Sequence, residues 1–391
     1  MGLTGKNQSY ARLINNRMVM RELSRADCSA TMLSRELRLS NAALSSIISD
    51  LKRDGYIREV ACTDNNATQA LGRKPVYYSI NENFGCVAVV GLSNHRATVA
   101  LSDMKACITD SVETRVERYD VATIYELVLT LKNLIAKPEY SGVPLLGIDL
   151  SVPGRVNEVT GDLILSPQFD KDLFGEKNYM VDLFARQFGV PVKMTNDINL
   201  AGYAEMCRGA LRDVENGMLV HVDEGIGGAL ILGGKLYTGS QGFAGEIGIM
   251  RTEFDGRIDV LDEFSSMRAV KNKLSDGKEI HTDDVMRLYR SDAAAREYIN
   301  KTADCIGRVL KDVVELLDIS TIVVSGRVTG FGDEYFECIQ AAVDKSINGA
   351  RVCPSALDRG ASIVGAVSKA VEALTADILE NKSNNKSGRN E

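Results

Sequence analysis

The sequence predicts an α/β fold preceded by a separate, mainly helical head. Three observations carry this. From about residue 84 onward, short apolar runs alternate with segments of helical periodicity, as strands joined through helices do. Residues 1–80 instead hold three helical segments followed by two strand-like ones. Charge divides at the same place: residues 1–80 carry 12 Lys+Arg against 7 Asp+Glu, a net of +5, within a 391-residue chain of net −7, leaving −12 for the rest. A basic head on an acidic body suits a head that meets a polyanion and a body that does not. The plainer reading is a chance excess of charge, and the pattern inside the head decides between them.

In that head, apolar residues Tyr10, Leu13, Ile14, Met18 and Met20 recur at helical spacing, giving a first helix that ends near Leu23. Ser29 suits the N-cap of a second helix reaching about Leu37. After the short turn 38–40, Ser40 or Asn41 caps a third, with Leu44, Ile47, Ile48 and Leu51 as its core stripe. Asp54-Gly55 ends it, and strands over 56–62 and 75–80 flank a polar loop. This is the order of a winged helix-turn-helix. The third helix presents Asn41, Ser45, Ser49 and Lys52 outward, small polar groups that fit a major groove. Arg73 and Lys74 at the wing tip suit phosphate or a minor groove. The alternatives are a packing module without a DNA role and an ordinary solvated wing tip.

The body opens with apolar runs over 86–92 and 97–103, a hairpin-like pair broken at Ser93-Asn94-His95. Residues 119–136 are helical in period, and 145–152 form the continuous apolar run of a buried parallel strand, ending at Pro153-Gly154. A helix over 181–188, a strand over 190–195 stopping at Asn196-Asp197, and a helix over 198–208 follow. Strands over 218–222 and 229–232 flank the first glycines of the stretch 225–248, in which nine of 24 positions are Gly. That density means left-handed turns and close approach to something, usually a phosphate or small ligand. A helix over about 293–318, a strand over 321–324 and a last helix over about 361–379 complete the pattern, with a polar, disordered tail expected over 381–391. Strands alternating with helices imply two lobes around a cleft. His95 and His221, beside apolar runs, read as structural histidines.

Composition excludes several classes. Apolar content of 45% with 25% charged residues is ordinary for a globular chain, and no run of 18 apolar residues predicts a membrane span. The polar start MGLTGKNQSYARLINNR predicts no signal peptide. Eight scattered cysteines without a CxxC pair read as buried small side chains of a cytoplasmic protein.

Three segments of the body, LSVPGRVNEVTGDLILSP at 150–167, TNDINLAGYAE at 195–205 and GFAGEIG at 242–248, resemble the ROK family of sugar kinases and repressors. The resemblance implies an actin-like, two-lobed, ribonuclease-H-like body. The first lobe would span 84–195, completed by the helix at about 361–379, and the second 196–360. A winged helix-turn-helix head over 1–80 is a feature of the family's sugar-responsive repressors; its kinases lack one.

The family's nucleotide motifs test which branch applies. Kinases carry an Asp-x-Gly-Gly-Thr turn between their first two strands, where this chain has Gly91-Leu92-Ser93-Asn94-His95. Their second phosphate loop, Gly-Thr-Gly-Ile-Gly-Gly, is here Asp223-Glu224-Gly225-Ile226-Gly227-Gly228. Two carboxylates would face the polyphosphate, each uncompensated contact costing about 4 kcal/mol at ~4 Å and an effective dielectric near 20. Ser325-Gly326-Arg327 stands where kinases have a run of glycines near adenosine. Cation binding by Asp223 and Glu224 is the minority alternative.

The sugar half is better kept. By resemblance, Asn196 and Asp197 contact sugar hydroxyls, Asp197 being the base in kinases, and Gly154, Glu246 and Asp262 complete the candidate sugar site. Asn196 and Asp197 equally suit a helix cap, Glu246 a loop carboxylate, and Asp262 a solvated charge beside Glu263. The family's zinc-binding His is Ile249, and its three-cysteine loop is 251–261, without Cys or His, so no zinc or other cofactor is expected. An apolar Ile249 predicts a ligand less polar than glucose. The expectation is a repressor rather than an enzyme, binding operator DNA as a homodimer or tetramer with a sugar or sugar derivative as effector and no membrane partner. Its alternatives are an ATP-dependent sugar kinase and a DNA-binding repressor that has lost its ligand.

Overall fold

The computed structural model describes residues 3–61, 76–166, 168–170, 179–275, 277–357 and 360–387. The head comprises α1 (Leu3–Arg25), β1 (Cys28–Ser29), α2 (Ala30–Leu37), α3 (Asn41–Arg53), β2 (Ile57–Val60) and β3 (Tyr77–Ile80). Ser29 accepts a hydrogen bond from Met32 N–H and Ser40 from Ala43 N–H, both at 3.3 Å, so both predicted caps are made. Leu44, Ile47, Ile48 and Leu51 are buried. The three strands form one sheet in the order β1-β3-β2, the two-residue β1 having no apolar pattern to announce it. The loop that holds Arg73 and Lys74 lies outside the described residues.

The first lobe is built from β4 (Cys86–Ser93), β5 (Arg96–Ser102), β6 (Ile108–Arg115), α4 (Val121–Ile135), β7 (Leu145–Val152), the β8–β9 hairpin (Arg155–Asn157, Asp162–Leu165), α5 (Tyr179–Phe188) and β10 (Val192–Asn196). Its sheet runs β10-β7-β4-β5-β6, parallel among the first three and antiparallel beyond. Strand β6, ITDSVETR, is an exposed edge strand, which is why it lacks the apolar run that marks its neighbours.

After α6 (Asp197–Arg208), the second lobe follows with β11 (Gly217–Val222), β12 (Ile226–Leu232), β13 (Lys235–Tyr237), the β14–β15 hairpin (Arg251–Phe254, Arg257–Val260), α7 (Asp262–Ser265), α8 (Met267–Leu274), α9 (Thr282–Ser291), α10 (Ala293–Leu317), β16 (Thr321–Ser325), α11 (Asp333–Val343) and β17 (Arg351–Pro354). Its sheet runs β13-β12-β11-β16-β17. The chain closes with α12 (Ala361–Ser387), so the tail expected from 381 is helical as far as Ser387.

Two helices join the parts. Helix α6 packs against strands of both sheets, so it belongs to neither lobe alone. Leu200 on α6, Val89 on β4, and Ala366 and Val367 on α12 form one buried cluster. Helix α12 also packs on α1. Val19, Met20 and Leu23 of the head share a core with Val87, Met104, Val371 and Leu379 of the body, and Arg17 Nη2 lies 3.0 Å from Glu380 Oε2. The head is therefore not hung on a linker. Its core is continuous with that of the body, a contact between residues far apart in sequence that no local pattern signals.

Candidate functional site

Strand β7 delivers the chain to Gly154, directly before β8. Gly154 has φ +127°, and a Cβ there would stand 2.2 Å from Leu165 O, so only glycine fits this turn. Asn196, at the end of β10, closes the same corner. Its Nδ2 donates to Gly154 O at 2.8 Å, while Oδ1 accepts from Ile198 N–H (3.0 Å) and Asn199 N–H (2.9 Å). Asn196 is thus the N-cap of α6 and the tie between two strand ends.

Asp197 follows as the first residue of α6. Burial pushes its carboxyl up to about 7, against the opposing pull of the Ile198 N–H. Tyr119 lies close enough to feel that charge, and burial is the main reason its hydroxyl is pushed up to about 12. The Tyr119 hydroxyl meets Ser93 O at 2.9 Å and Arg96 O at 2.6 Å and accepts from Ser93 N–H at 3.1 Å. It pins the turn of Gly91–His95 on which the family's first phosphate motif would fall. His95 sits on that turn, exposed, with φ +61°, so its structural part is that of a turn residue.

Glu246 reaches the cleft from the second lobe and is met there by Arg155 of β8, whose Nε donates to Glu246 Oε2 at 3.2 Å. Both side chains are about one-third exposed. Arg155 is not among the residues the sequence marks, and its place directly after Pro153-Gly154 is the available signal. The glycines before Glu246 also need a different account. Gly245 has φ +92°, and a Cβ there would meet Gly228 O at 2.1 Å. What the backbone approaches at this point is the start of the protein's own β12. Ile249 is 54% exposed, so it does not seal an apolar wall.

Asp262 is turned to internal work. Its Oδ1 accepts from Ile226 N–H at 2.7 Å, and Oδ2 pairs with Arg268 Nη2 at 2.7 Å. Burial raises its pKa, while the Ile226 N–H and Arg268 oppose that. It braces the glycine turn beside the cleft. The structure therefore gathers Gly154, Asn196 and Asp197 at one corner, pairs the neighbouring Arg155 with Glu246 of the second lobe, and engages both Asp262 oxygens elsewhere.

The second phosphate loop carries a further correction. Asp223 and Glu224 are not unopposed: Asp223 Oδ1 lies 3.1 Å from Arg327 Nε, and Glu224 pairs with Lys271. Arg327 also donates to Thr282 Oγ1 at 2.7 Å. The sequence-based cost assumed bare carboxylates, whereas counter-charges come from elements far along the chain. Arg327 and Lys271 already have anionic partners. His221 shares a hydrogen bond of 3.0 Å with Ser325 Oγ, and burial lowers its pKa. The 251–261 segment is the β14–β15 hairpin, with Phe254 stacked on Phe264 at 5.4 Å. Among the described residues, no group of three or more His, Cys, Asp or Glu is placed to hold a metal.

On the head, Asn41, Ser45, Ser49 and Lys52 all lie exposed along α3. Lys52 pairs with Glu59 of β2, which couples the helix to the wing strands.

With this geometry in place, a match to the ROK family model extends over residues 91–372. The chain belongs to the ROK family. Similar ROK relatives include the xylose repressor of Staphylococcus xylosus, 28% identical over 60% of this chain and 59% of its own. The xylose repressor of Caldicellulosiruptor bescii is 22% identical, covering 87% and 89%. The N-acetylglucosamine repressor of Escherichia coli O6:H1 is 23% identical, covering 88% and 86%. Among solved folds, a ROK family transcriptional regulator superposes with a TM-score of 0.79 at 19% identity, covering 95% of this chain and 98% of its own. The ROK hexokinase of Thermus thermophilus gives 0.62 at 21% identity, covering 76% of this chain and 99% of its own. The full-length fold, winged head included, is thus that of the family's regulators, and the two-lobed body is shared with its kinases.

Proposed function

We propose that this ROK protein is a sugar-responsive transcriptional repressor. It reads operator DNA through Asn41, Ser45, Ser49 and Lys52 on α3, with Arg73 and Lys74 on the wing. It takes a sugar or sugar derivative in the interlobe cleft at Gly154, Asn196, Asp197 and Glu246, with Asp262 bracing the wall. The observation that carries this reading is the packing of α6 on α12 and of α12 on α1. Helix α6 starts at the candidate sugar corner, and α1 belongs to the DNA-reading head. A ligand that binds one lobe arrangement more tightly than the other shifts α6, and the shared core passes that shift to the head. The relatives named as xylose and N-acetylglucosamine repressors support the same reading. A homodimer or tetramer on a pseudo-palindromic site follows from the one-helix-per-half-site geometry of such heads.

Fluorescence anisotropy with the DNA upstream of the gene, at low salt, tests this directly. Binding that weakens with rising salt, and that responds to a sugar, is expected. Absence of binding to any such DNA overturns the reading.

One observation favours an ATP-dependent sugar kinase: Asp197 is retained, with a carboxyl near 7 that suits a general base. The paired Asp223 and Glu224 and the pinned turn at Ser93 oppose it. Sustained hexose phosphorylation with ATP and magnesium, abolished by Asp197→Asn, would establish the kinase instead.

A further inference from the structure

One short element, strand β8 and the turn that follows it, reaches both the second lobe and α12. Arg155 holds Glu246 of the second lobe at 3.2 Å. Glu158 N–H donates to Gln241 O at 3.1 Å, again in the second lobe. The Glu158 carboxylate lies 3.7 Å from Lys369 Nζ on α12. Exposures of the four charged side chains run from 22% to 34%, so these are half-buried pairs and not a solvated fringe. The charge of Lys369 also opposes the burial that raises the Asp149 carboxyl of β7, whose Oδ1 has no hydrogen-bond partner among the described residues. The turn therefore joins the second lobe and the helix on which the head rests.

We propose that Arg155 is the effector-reading residue of the cleft. It pairs with Glu246 and fastens the second lobe to the β8 turn. A sugar hydroxyl that donates to Glu246 competes with the Arg155 N–H for the same carboxylate and frees the guanidinium. The loosened turn then changes its hold on α12 through Glu158 and Lys369, and α12 carries the change to α1. This rests on the cleft being a sugar site and goes beyond it by naming the residue that converts occupancy into a signal.

The test uses the full chain, its operator, and D-xylose, D-glucose and N-acetyl-D-glucosamine as probes. Arg155→Ala is expected to bind the active sugar about 3- to 5-fold tighter, because Glu246 no longer gives up a partner. The same variant is expected to lose most of the sugar's effect on operator affinity. Lys369→Met is expected to keep sugar affinity within about twofold while blunting the operator response in the same way. Without any sugar, hydrogen exchange at residues 153–158 and 242–248 is expected to quicken in Arg155→Ala and in Glu246→Gln. Unchanged exchange in both variants overturns the latch. A wild-type chain that answers sugar while Arg155→Ala answers identically overturns the role of Arg155 alone. A wild-type chain that binds operator but none of the three sugars overturns the sugar reading and the role of Arg155 together.

Discussion

The two lobes are built on one plan and have closed the same feature in two ways. Each sheet has three antiparallel strands followed by two parallel ones, β6-β5-β4-β7-β10 in the first lobe and β13-β12-β11-β16-β17 in the second. In each, the turn between the two central antiparallel strands falls where the family's kinases cradle phosphate. The first lobe fills its turn with a neutral group, the Tyr119 hydroxyl, bonded to Ser93 and Arg96. The second lobe fills its turn with charge, pairing Asp223 with Arg327 and Glu224 with Lys271. A neutral hydrogen-bonded plug in a packed site depends little on salt, whereas ion pairs between half-exposed groups are screened by it.

The largest effect is expected from breaking the neutral plug. Tyr119 is 1% exposed and stacks on Phe169 at 4.9 Å. Tyr119→Ala should cost about 3–5 kcal/mol of unfolding free energy, read by urea denaturation. Tyr119→Phe keeps the ring and removes the hydroxyl that accepts from Ser93 N–H and donates to the turn's carbonyls, at a cost of about 1–3 kcal/mol that hardly changes between low and high salt.

Next comes the acid that lies between the two turns. The pKa of Asp197 is raised to about 7 in the folded protein, while an unfolded Asp titrates near ~3.9. Between those values the folded chain keeps a proton the unfolded chain has lost. Its contribution is therefore fullest below about pH 4, declines as pH rises towards 7, and is level beyond. Asp197→Asn should raise stability at pH 8 by about 1–3 kcal/mol and flatten that decline, while weakening sugar binding. Equal pH profiles for both proteins would remove the buried-acid account.

The smallest effect is expected at the charged plug. Asp223→Asn should cost about 1 kcal/mol at low salt and less at high salt, since Asp223 is 21% and Arg327 33% exposed. A salt-independent cost would show that the two turns are closed by the same physics after all.

Much of this molecule was legible beforehand because the signals are local. The caps Ser29 and Ser40 and the stripe Leu44, Ile47, Ile48 and Leu51 depend on spacings of three or four residues, and β7 is a single apolar run. Strands β6, β8 and β9 were not foreseen, being polar, short or at an edge, where no burial imposes a pattern. The candidate site was legible in its parts and not in its wiring. Asn196, Asp197 and Glu246 stand out in the sequence, yet Arg155 gains meaning only from Glu246, 91 positions away.

By itself, then, the sequence determined the long apolar strands and periodic helices, the helical head, the family motifs and the altered phosphate turns. These follow from residue types at short fixed spacings. Tertiary structure alone decided that Gly245 presses on the protein's own β12, that Asp223 and Glu224 are neutralised, and that Asp262 faces inward. It also decided that the head shares a core with α12. The physical reason is common to all four: each depends on which distant group fills the space beside a residue, and no spacing along the chain encodes that.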